Sequence, residues 1–483
     1  MTTLRRSRNQ PGHGPRHRWV VLAVGVGAQA AFAAMFSGIP VTGVVMRSGY
    51  HLSTEALGLV LACLGLGVAA SDIVWGLLTD RFGDRRVLLT GLTSTGALLA
   101  VMAAAVTPSD GAGVALLALC LAIAGALGGS VNGASGRAVM TWFGEGERGF
   151  AMSIRQTAIP VGGAVGVALL PWLAASYGFR AAYAVPAAFC LLAAAATWRW
   201  LHDPTPPTAQ ATGTLATTPA LRTPATVTPA TVTPATVTPA TVTAVEPVTT
   251  TPATRVPAPA LLTAPAPTTP QHSGRRPASP LRRWDVWRLA LAGALLTVPQ
   301  FAVLSFTAIF LHDVKHEGTT LASLTIVIAQ LGGGAARIWT GRRTDRTGTR
   351  RTHIRAIGAL AGVAMAGAAV LTDAPTPLAV TALAIGGILA NSWHGVAYTE
   401  IAAMAGADRA GTALGLLGTT LFATGFLTPL LIPLVIAHTS WATVWALAAL
   451  ASLLAIPLSP GEPKSPRRRH SATTPRRAEV RAR

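Results

Sequence analysis

Three charged side chains, Asp72, Arg155 and Arg337, sit inside otherwise apolar stretches and are the residues of this chain best placed to do chemistry. An ionisable group costs at least a few kcal/mol at the middle of a bilayer, so it is kept where it faces a cavity, a partner or a ligand. A carboxyl such as Asp72 can carry a proton, and the guanidinium groups of Arg155 and Arg337 can hold an anion. Asp72 stands eight residues before Asp80, and Arg337 stands eight residues before Asp345. At 1.5 Å per helical residue both lie about 12 Å inward from those aspartates.

Uncharged polar residues in the same apolar runs complete a candidate lining: Gln29, Asn132, Gln300, Gln330, Asn391, Trp393 and His394. Each also has a plain structural reading as an interhelical hydrogen bond. His394 can exchange protons near neutral pH, although a single histidine also suits a packed, bonded position. Arg155 suits a substrate or gate role and equally a fixed acid or lipid headgroup. Glu400 lies deep in the segment of His394 or already at the interface.

The aspartates that anchor the spacing belong to two copies of one motif. Gly76-Leu77-Leu78-Thr79-Asp80-Arg81-Phe82-Gly83-Asp84-Arg85-Arg86 and Gly341-Arg342-Arg343-Thr344-Asp345-Arg346-Thr347-Gly348-Thr349-Arg350-Arg351 both obey G-x-x-T-D-R-x-G-x-R-R. Each copy follows one apolar helix-length run and precedes another, so each is a tight basic hairpin between two membrane spans. Asp80 and Asp345 fall where the helix dipole disfavours an anion, so something must hold them. The neighbouring arginines and the N-terminus of another helix are the candidates. Fixing topology is the plain alternative.

The elements that position these groups follow from hydropathy. Half of the 483 residues are apolar and 12% are charged. Runs of about 20 apolar residues predict spans near 19–43, 53–78, 87–106, 112–141, 149–174 and 178–201, then near 285–312, 319–341, 354–372, 377–404, 410–436 and 440–458. The expected class is an all-α polytopic membrane protein of twelve helices in two six-helix bundles, residues 19–202 and 284–458. Arginines crowd the 1–18 and 459–483 tails, both motif loops and the central segment, whereas the opposite loops hold little beyond Arg47, Arg180 and Lys315. Both termini and the central loop are therefore expected on the cytoplasmic side. Residues 203–283 are rich in Pro, Thr and Ala, with TPATV repeats from Thr223, Thr228, Thr233 and Thr238, and read as a disordered linker.

Composition also narrows function. The net charge of +20 sits in tails and alternate loops, where membrane orientation explains it better than nucleic acid does. Cys63, Cys120 and Cys190 lie in apolar runs without metal-ligand spacing. The apolar run after residue 18 is too long for a signal-peptide core and is expected to remain as the first span. No Gly-Lys-Ser/Thr phosphate loop, metal cluster, nucleophile elbow or triad is present, so neither an ATP-driven pump nor an enzyme is expected, and no cofactor.

The paired loop motifs resemble the loop signature of the major facilitator superfamily of secondary transporters. The resemblance covers everything except the tails and linker, and its halves are repeats related by an axis along the membrane normal. Asn132 to Gly136 and Asn391 to Gly395 share N-x-x-x-G, and Glu147-Arg148 and Asp408-Arg409 open matching junctions. The resemblance implies that Gly76, Asp80, Arg81, Gly83 and Arg85, with Gly341, Asp345, Arg346, Gly348 and Arg350, form latches to helix N-termini that break as the halves rock. Arg342 and Arg343 replace two leucines of the first copy and weaken that inference for the second. It places Gln29, Asn132, Gln300 and Asn391 toward the cavity. Nitrate-type relatives are similar in carrying an intramembrane arginine near this place in both halves, where this chain has Asp72 in the first. Arg155 to Gly163 resembles organic-anion porters more than drug-efflux members, whose Gly-Pro-x-x-Gly-Gly pattern is missing; glycines 162, 163 and 166 also permit close helix packing.

The expected function is alternating-access transport of a small organic solute, an anion or carboxylate preferred, coupled to protons in a monomer of the plasma (cell inner) membrane. Asp72 is the proton-carrier candidate, with Arg337 as its charged neighbour. The alternatives are drug or antibiotic efflux and, more distantly, a transporter-like receptor.

Overall fold

The computed structural model describes residues 16–202 and 279–462. The basic tails as far as Gly14-Pro15 and from Pro463 onward, and the TPATV linker from Asp203 to Ala278, lie outside the described residues.

Fourteen α-helices account for the membrane-crossing segments. The first half holds α1 (His17–Val41), the short α2 (Gly43–Gly49), α3 (Thr54–Phe82), α4 (Asp84–Ala105), α5 (Val114–Gly128), α6 (Ser130–Trp142) and α7 (Arg148–Trp200). The second holds α8 (Trp284–Asp313), α9 (Thr319–Thr347), α10 (Arg350–Val370), α11 (Thr376–Ser392), α12 (His394–Ala405), α13 (Ala410–His438) and α14 (Trp441–Leu458). Eleven helical segments are long and apolar enough to cross a bilayer. One of them, α7, has 53 residues and so a contour of about 80 Å, more than twice the thickness of the hydrocarbon core. It turns back at Gly178, whose φ of 76° and ψ of 177° break the helix, and therefore supplies two crossings. The total is twelve, six in each half, and the chain is a multi-pass membrane protein.

Gly178 adopts a backbone conformation essentially confined to glycine, at a cost of about 1–3 kcal/mol for any other residue. A Cβ there would meet nothing within 4 Å, so crowding plays no part. Gly178→Ala is expected to lower the thermal midpoint in detergent by that backbone strain alone, with ligand affinity unchanged. An unaltered midpoint would show that the turn is not held in this geometry.

The fourth crossing of each half is interrupted close to its asparagine, on opposite sides of it. The α5–α6 junction at Gly129 precedes Asn132, and the α11–α12 junction at Trp393 follows Asn391. Asn391 Nδ2 donates back to Gly387 O at 2.9 Å, a local bond that competes with the helical ladder. Both motif loops turn on glycine. Gly83 (φ 89°) ends α3 and Gly348 (φ 70°) ends α9, positions where a side chain would be strained.

An apolar seam joins the two bundles. Leu22, Val139, Met140 and Met152 from the first half pack in one buried cluster with Ala413, Leu414, Leu417 and Trp393 from the second. A second cluster fills the first bundle around Phe32, Leu64, Leu92 and Tyr183, and a third lies around Phe310, Met365 and Trp445 in the second.

Candidate functional site

The two motif aspartates reach across the bundle interface in the same way. Asp80, near the end of α3, accepts from the backbone N–H of Gly411 (2.8 Å) and Thr412 (2.7 Å) and from Thr412 Oγ1 (2.5 Å). Asp345, near the end of α9, accepts from the backbone N–H of Gly149 (2.9 Å) and Phe150 (2.8 Å). The donors are the second and third residues of α13 and α7, the orphan N–H groups of a helix N-terminus, where the dipole favours an anion. A charge-assisted bond of this kind contributes about 1.5–3 kcal/mol.

Glycines make that reach possible. A Cβ on Gly76 would lie on the Gly411 carbonyl, and one on Gly341 would lie on Ser153 Oγ and the Gly149 carbonyl. Two turns further along α9 a Cβ on Gly334 would find only Thr157, at 4.0 Å, whereas α3 and α13 stay in contact inward of the motif, where a Cβ on Gly415 would lie on the Asp72 carbonyl and one on Gly418 on its carboxylate. The interface is thus shut at the motif side.

The motif arginines are used unequally. Arg350 pairs with Asp345 at 3.4 Å and donates to Glu145 O at 3.1 Å. Arg85 donates to Trp198 O at 2.8 Å within the first half. Arg81, over the Phe82 ring, and Arg346 are exposed and make no hydrogen bond to either aspartate among the described residues. Arg137 of α6, which sequence reasoning missed, ion-pairs with Asp84 (2.8 Å) and approaches Asp80 (3.5 Å). Glu400 is held by Arg351 at 2.6 Å at this interface and stands apart from the central polar residues. Gly149, Gly411 and Thr412 were also missed; the repeated acid-arginine dipeptides just before them were the available signal.

Inward from these contacts, each half holds a glutamine, an asparagine and an arginine bonded together. Arg155 Nη2 donates to Gln29 Oε1 (2.7 Å) and to Asn132 O (2.7 Å), and its Nε donates to Ser135 Oγ (2.7 Å). Gln29 Nε2 donates to Asn132 Oδ1 at 3.0 Å, and Asn132 Nδ2 donates to both Asp72 oxygens at 3.1 and 3.2 Å. Every amide orientation here is forced. Arginine only donates, so Gln29 must present its oxygen to it, its nitrogen to Asn132, and Asn132 its nitrogen to the carboxylate.

The second half repeats this with one difference. Gln300 Nε2 donates to Asn391 Oδ1 at 3.0 Å; Arg337 donates to Asn391 O, to Asn391 Oδ1 (3.1 Å) and, across the interface, to Gln156 O (2.9 Å). The arginine comes from the fifth crossing in the first half and from the eighth in the second. Asp72 and Arg337, equivalent in sequence, also face equivalent places: a Cβ on Gly418 would lie on the Asp72 carboxylate, as Gln156 lies against Arg337.

Asp72 and Arg337, whose contact the repeat spacing leaves open, are not paired. Among the described residues neither arginine comes within ion-pair distance of Asp72, whose partner is Asn132. Similar depth in two repeats fixes two places on opposite sides of a pseudo-axis, not a contact. Gln330, half-buried on α9, has no hydrogen bond among the described residues and does not join the cluster. His394 stacks on Trp393 with ring centroids 4.0 Å apart, and its Nδ1 has no hydrogen-bond partner among the described residues. Tyr398, one turn beyond His394 on α12, lies under Arg155, whose Cζ is 5.9 Å from its ring. Sequence reasoning missed Tyr398 and Ser135, which only tertiary packing brings in. Among the described residues no group of three or more His, Cys, Asp or Glu side chains is arranged to hold a metal.

An apolar cavity of about 640 Å³ lies apart from this cluster between α8, α13 and α14, lined by Val298, Ala302, Leu431, Ile432, Val435 and Leu447 among others.

Comparisons with known proteins bear on the family and the fold. The chain is similar to an uncharacterized MFS-type transporter of Mycobacterium tuberculosis (strain ATCC 25618 / H37Rv), 27% identical over 457 residues, covering 94% of this chain and 87% of that protein. It is 30% identical over 153 residues to a protein of Cupriavidus necator named as a probable sulfoacetate transporter, covering 32% of this chain and 34% of that one. Its fold is similar to the crystal structure of the human organic anion transporter MFSD10 (TETRAN), with a TM-score of 0.65 and 15% identity over 92% of this chain and all of that one. The family model for the Major Facilitator Superfamily matches residues 24–427, most of both bundles, and the chain belongs to that family.

Proposed function

We propose that the protein is a proton-coupled secondary transporter of a small organic anion, with a carboxylate as the preferred class. The carrying observation is Arg337, a buried guanidinium whose acceptors are all neutral: Asn391 O, Asn391 Oδ1 and Gln156 O. A buried charge without a counter-ion costs several kcal/mol, and an anionic ligand held between the bundles offsets it. Arg155 differs, because its amide chain ends on Asp72. The names of the Cupriavidus and human relatives, a sulfoacetate and an organic anion transporter, support the same class.

In this reading the bonds from Asp80 and Asp345 to helix N-termini are the latches of the state closed on the cytoplasmic side, and the arginine-rich loops and both termini face the cytoplasm of a cell whose plasma membrane holds the protein as a monomer. Alternating access then requires those bonds to break as the bundles rock. Asp72 carries the proton.

The test is ligand-induced stabilisation of the purified chain by a panel of carboxylates, sulfonates, amino acids, sugars and drugs, repeated with Arg337→Gln. Truncating one partner of a buried charged contact costs about 2–5 kcal/mol, so affinity for an anion is expected to fall about thirtyfold or more. An anion that binds the variant as tightly as the parent would dismiss Arg337 as its site. The apolar cavity beside α13 supports a second reading, export of a lipophilic compound; a drug that stabilises parent and variant equally selects it.

A further inference from the structure

The anion site contains more hydrogen-bonding capacity than a bare carboxylate can use. Gln156 is completely buried; its main-chain carbonyl accepts from Arg337, and its side-chain amide meets the Tyr398 hydroxyl of α12. Gln300 Oε1 has no partner among the described residues. Its orientation is not adjustable: Asn391 Oδ1 already accepts from Arg337, Asn391 Nδ2 is spent on Gly387 O, and Gln300 must therefore turn its nitrogen to Asn391 and its oxygen away.

These groups have definite chemical demands. Gln156 Nε2 and the Arg337 guanidinium donate, which suits a carboxylate. Gln300 Oε1 can only accept, and a carboxylate has no hydrogen to give it. A buried polar atom left without its bond costs about 1–3 kcal/mol, so a ligand that supplies the donor gains what the empty site lacks. The donor belongs on an uncharged group, because an ammonium placed here would stand beside Arg337 with no carboxylate within ion-pair distance of that arginine among the described residues. On this part of α9 a Cβ on Gly334 would find only Thr157, at 4.0 Å.

We infer that the substrate is a hydroxylated organic anion, its carboxylate or sulfonate on Arg337 and Gln156 Nε2 and a hydroxyl donating to Gln300 Oε1. The inference rests on the anion reading and goes one step past it. Selection comes from the forced acceptor Gln300 Oε1, which favours a hydroxy acid over the same acid without its hydroxyl.

Matched pairs test this on the full chain in lipid nanodiscs: acetate against glycolate, propionate against each lactate enantiomer, and glutarate against each 2-hydroxyglutarate enantiomer, by dissociation constant. The hydroxylated member of at least one pair is expected to bind about tenfold or more tightly. In Gln300→Leu that ratio is expected to fall toward one, with the deoxy acid binding within threefold of the parent. A purely structural role would weaken both members together and leave the ratio standing, which overturns the inference. Equal binding of hydroxy and deoxy acids by the parent overturns it too, while the anion reading survives. Loss of all anion binding would instead remove the anion reading itself.

Discussion

Valine at Gly76 together with valine at Gly341 is expected to leave the chain folded and inserted but to reduce transport at least a hundredfold. Both glycines lie at backbone-to-backbone contacts between bundles, Gly76 on Gly411 and Gly341 on Gly149. Their partners are glycines too: a Cβ on Gly411 would come within 2.7 Å of Asp80 Oδ1, and one on Gly149 within 2.7 Å of Asp345 Oδ1. Rigid main chain cannot step aside as a flexible side chain can, so a branched side chain must hold the bundles apart. Overpacking costs about 1–3 kcal/mol at each site, and more where backbone is the obstacle. That alone shifts the closed state about tenfold or more per site. The carboxylate-to-N–H bonds of Asp80 and Asp345 are lost with it, since a separation of about 1 Å takes them beyond hydrogen-bonding range.

Each bundle retains its own core, so expression and helicity should be preserved. Spin labels at the exposed positions of Arg81 and Arg346, on opposite halves, would report the motif-side distance directly. The double variant is expected to populate a longer distance than the parent. An unchanged distance with full transport would dismiss these glycines as the closing surface.

How much of this could be read in advance differs between kinds of residue. The twelve crossings follow from apolar runs, because in a bilayer each backbone group must bond within its own helix and length alone sets a span. The α3 and α9 ends were placed short: the helices run on through Asp80 and Asp345 to Gly83 and Gly348, since the basic loop residues continue the hydrogen-bond ladder to the glycine. The depth of Asp72 and Arg337 was legible from one repeat spacing. Their partners were not. A carboxylate opposite an arginine looks like a pair on a repeat diagram, but Asp72 is served by Asn132 and Arg337 by carbonyls of Asn391 and Gln156. Neutral amides leave no charge pattern in a sequence, and Gln29 and Asn132 meet only because α1 packs beside α6. Arg155 looked like one buried charge with two possible uses; its place at the head of an oriented amide chain depends on four residues from four crossings.

That chain gives the other large expected effect. Asp72→Asn is expected to abolish proton-driven accumulation while substrate exchange continues at a rate near the parent's. The change keeps shape and leaves an oxygen to accept from Asn132 Nδ2, so the packing against Gly418 and Gly129 should hold; it removes only the capacity to gain and lose a proton. Arg155, Gln29, Asn132 and Asp72 form one directional series in which each group's orientation fixes the next. One proton moving down a gradient of one pH unit, about 1.4 kcal/mol, supports about tenfold accumulation. Proteoliposomes with an acidic exterior should therefore show concentrative uptake in the parent and only equilibration in Asp72→Asn, with counterflow exchange preserved in both. Proton-driven accumulation that persists in the variant would move the carrier elsewhere, and His394, stacked on Trp393 with no hydrogen-bond partner for Nδ1 among the described residues, is the group to replace next.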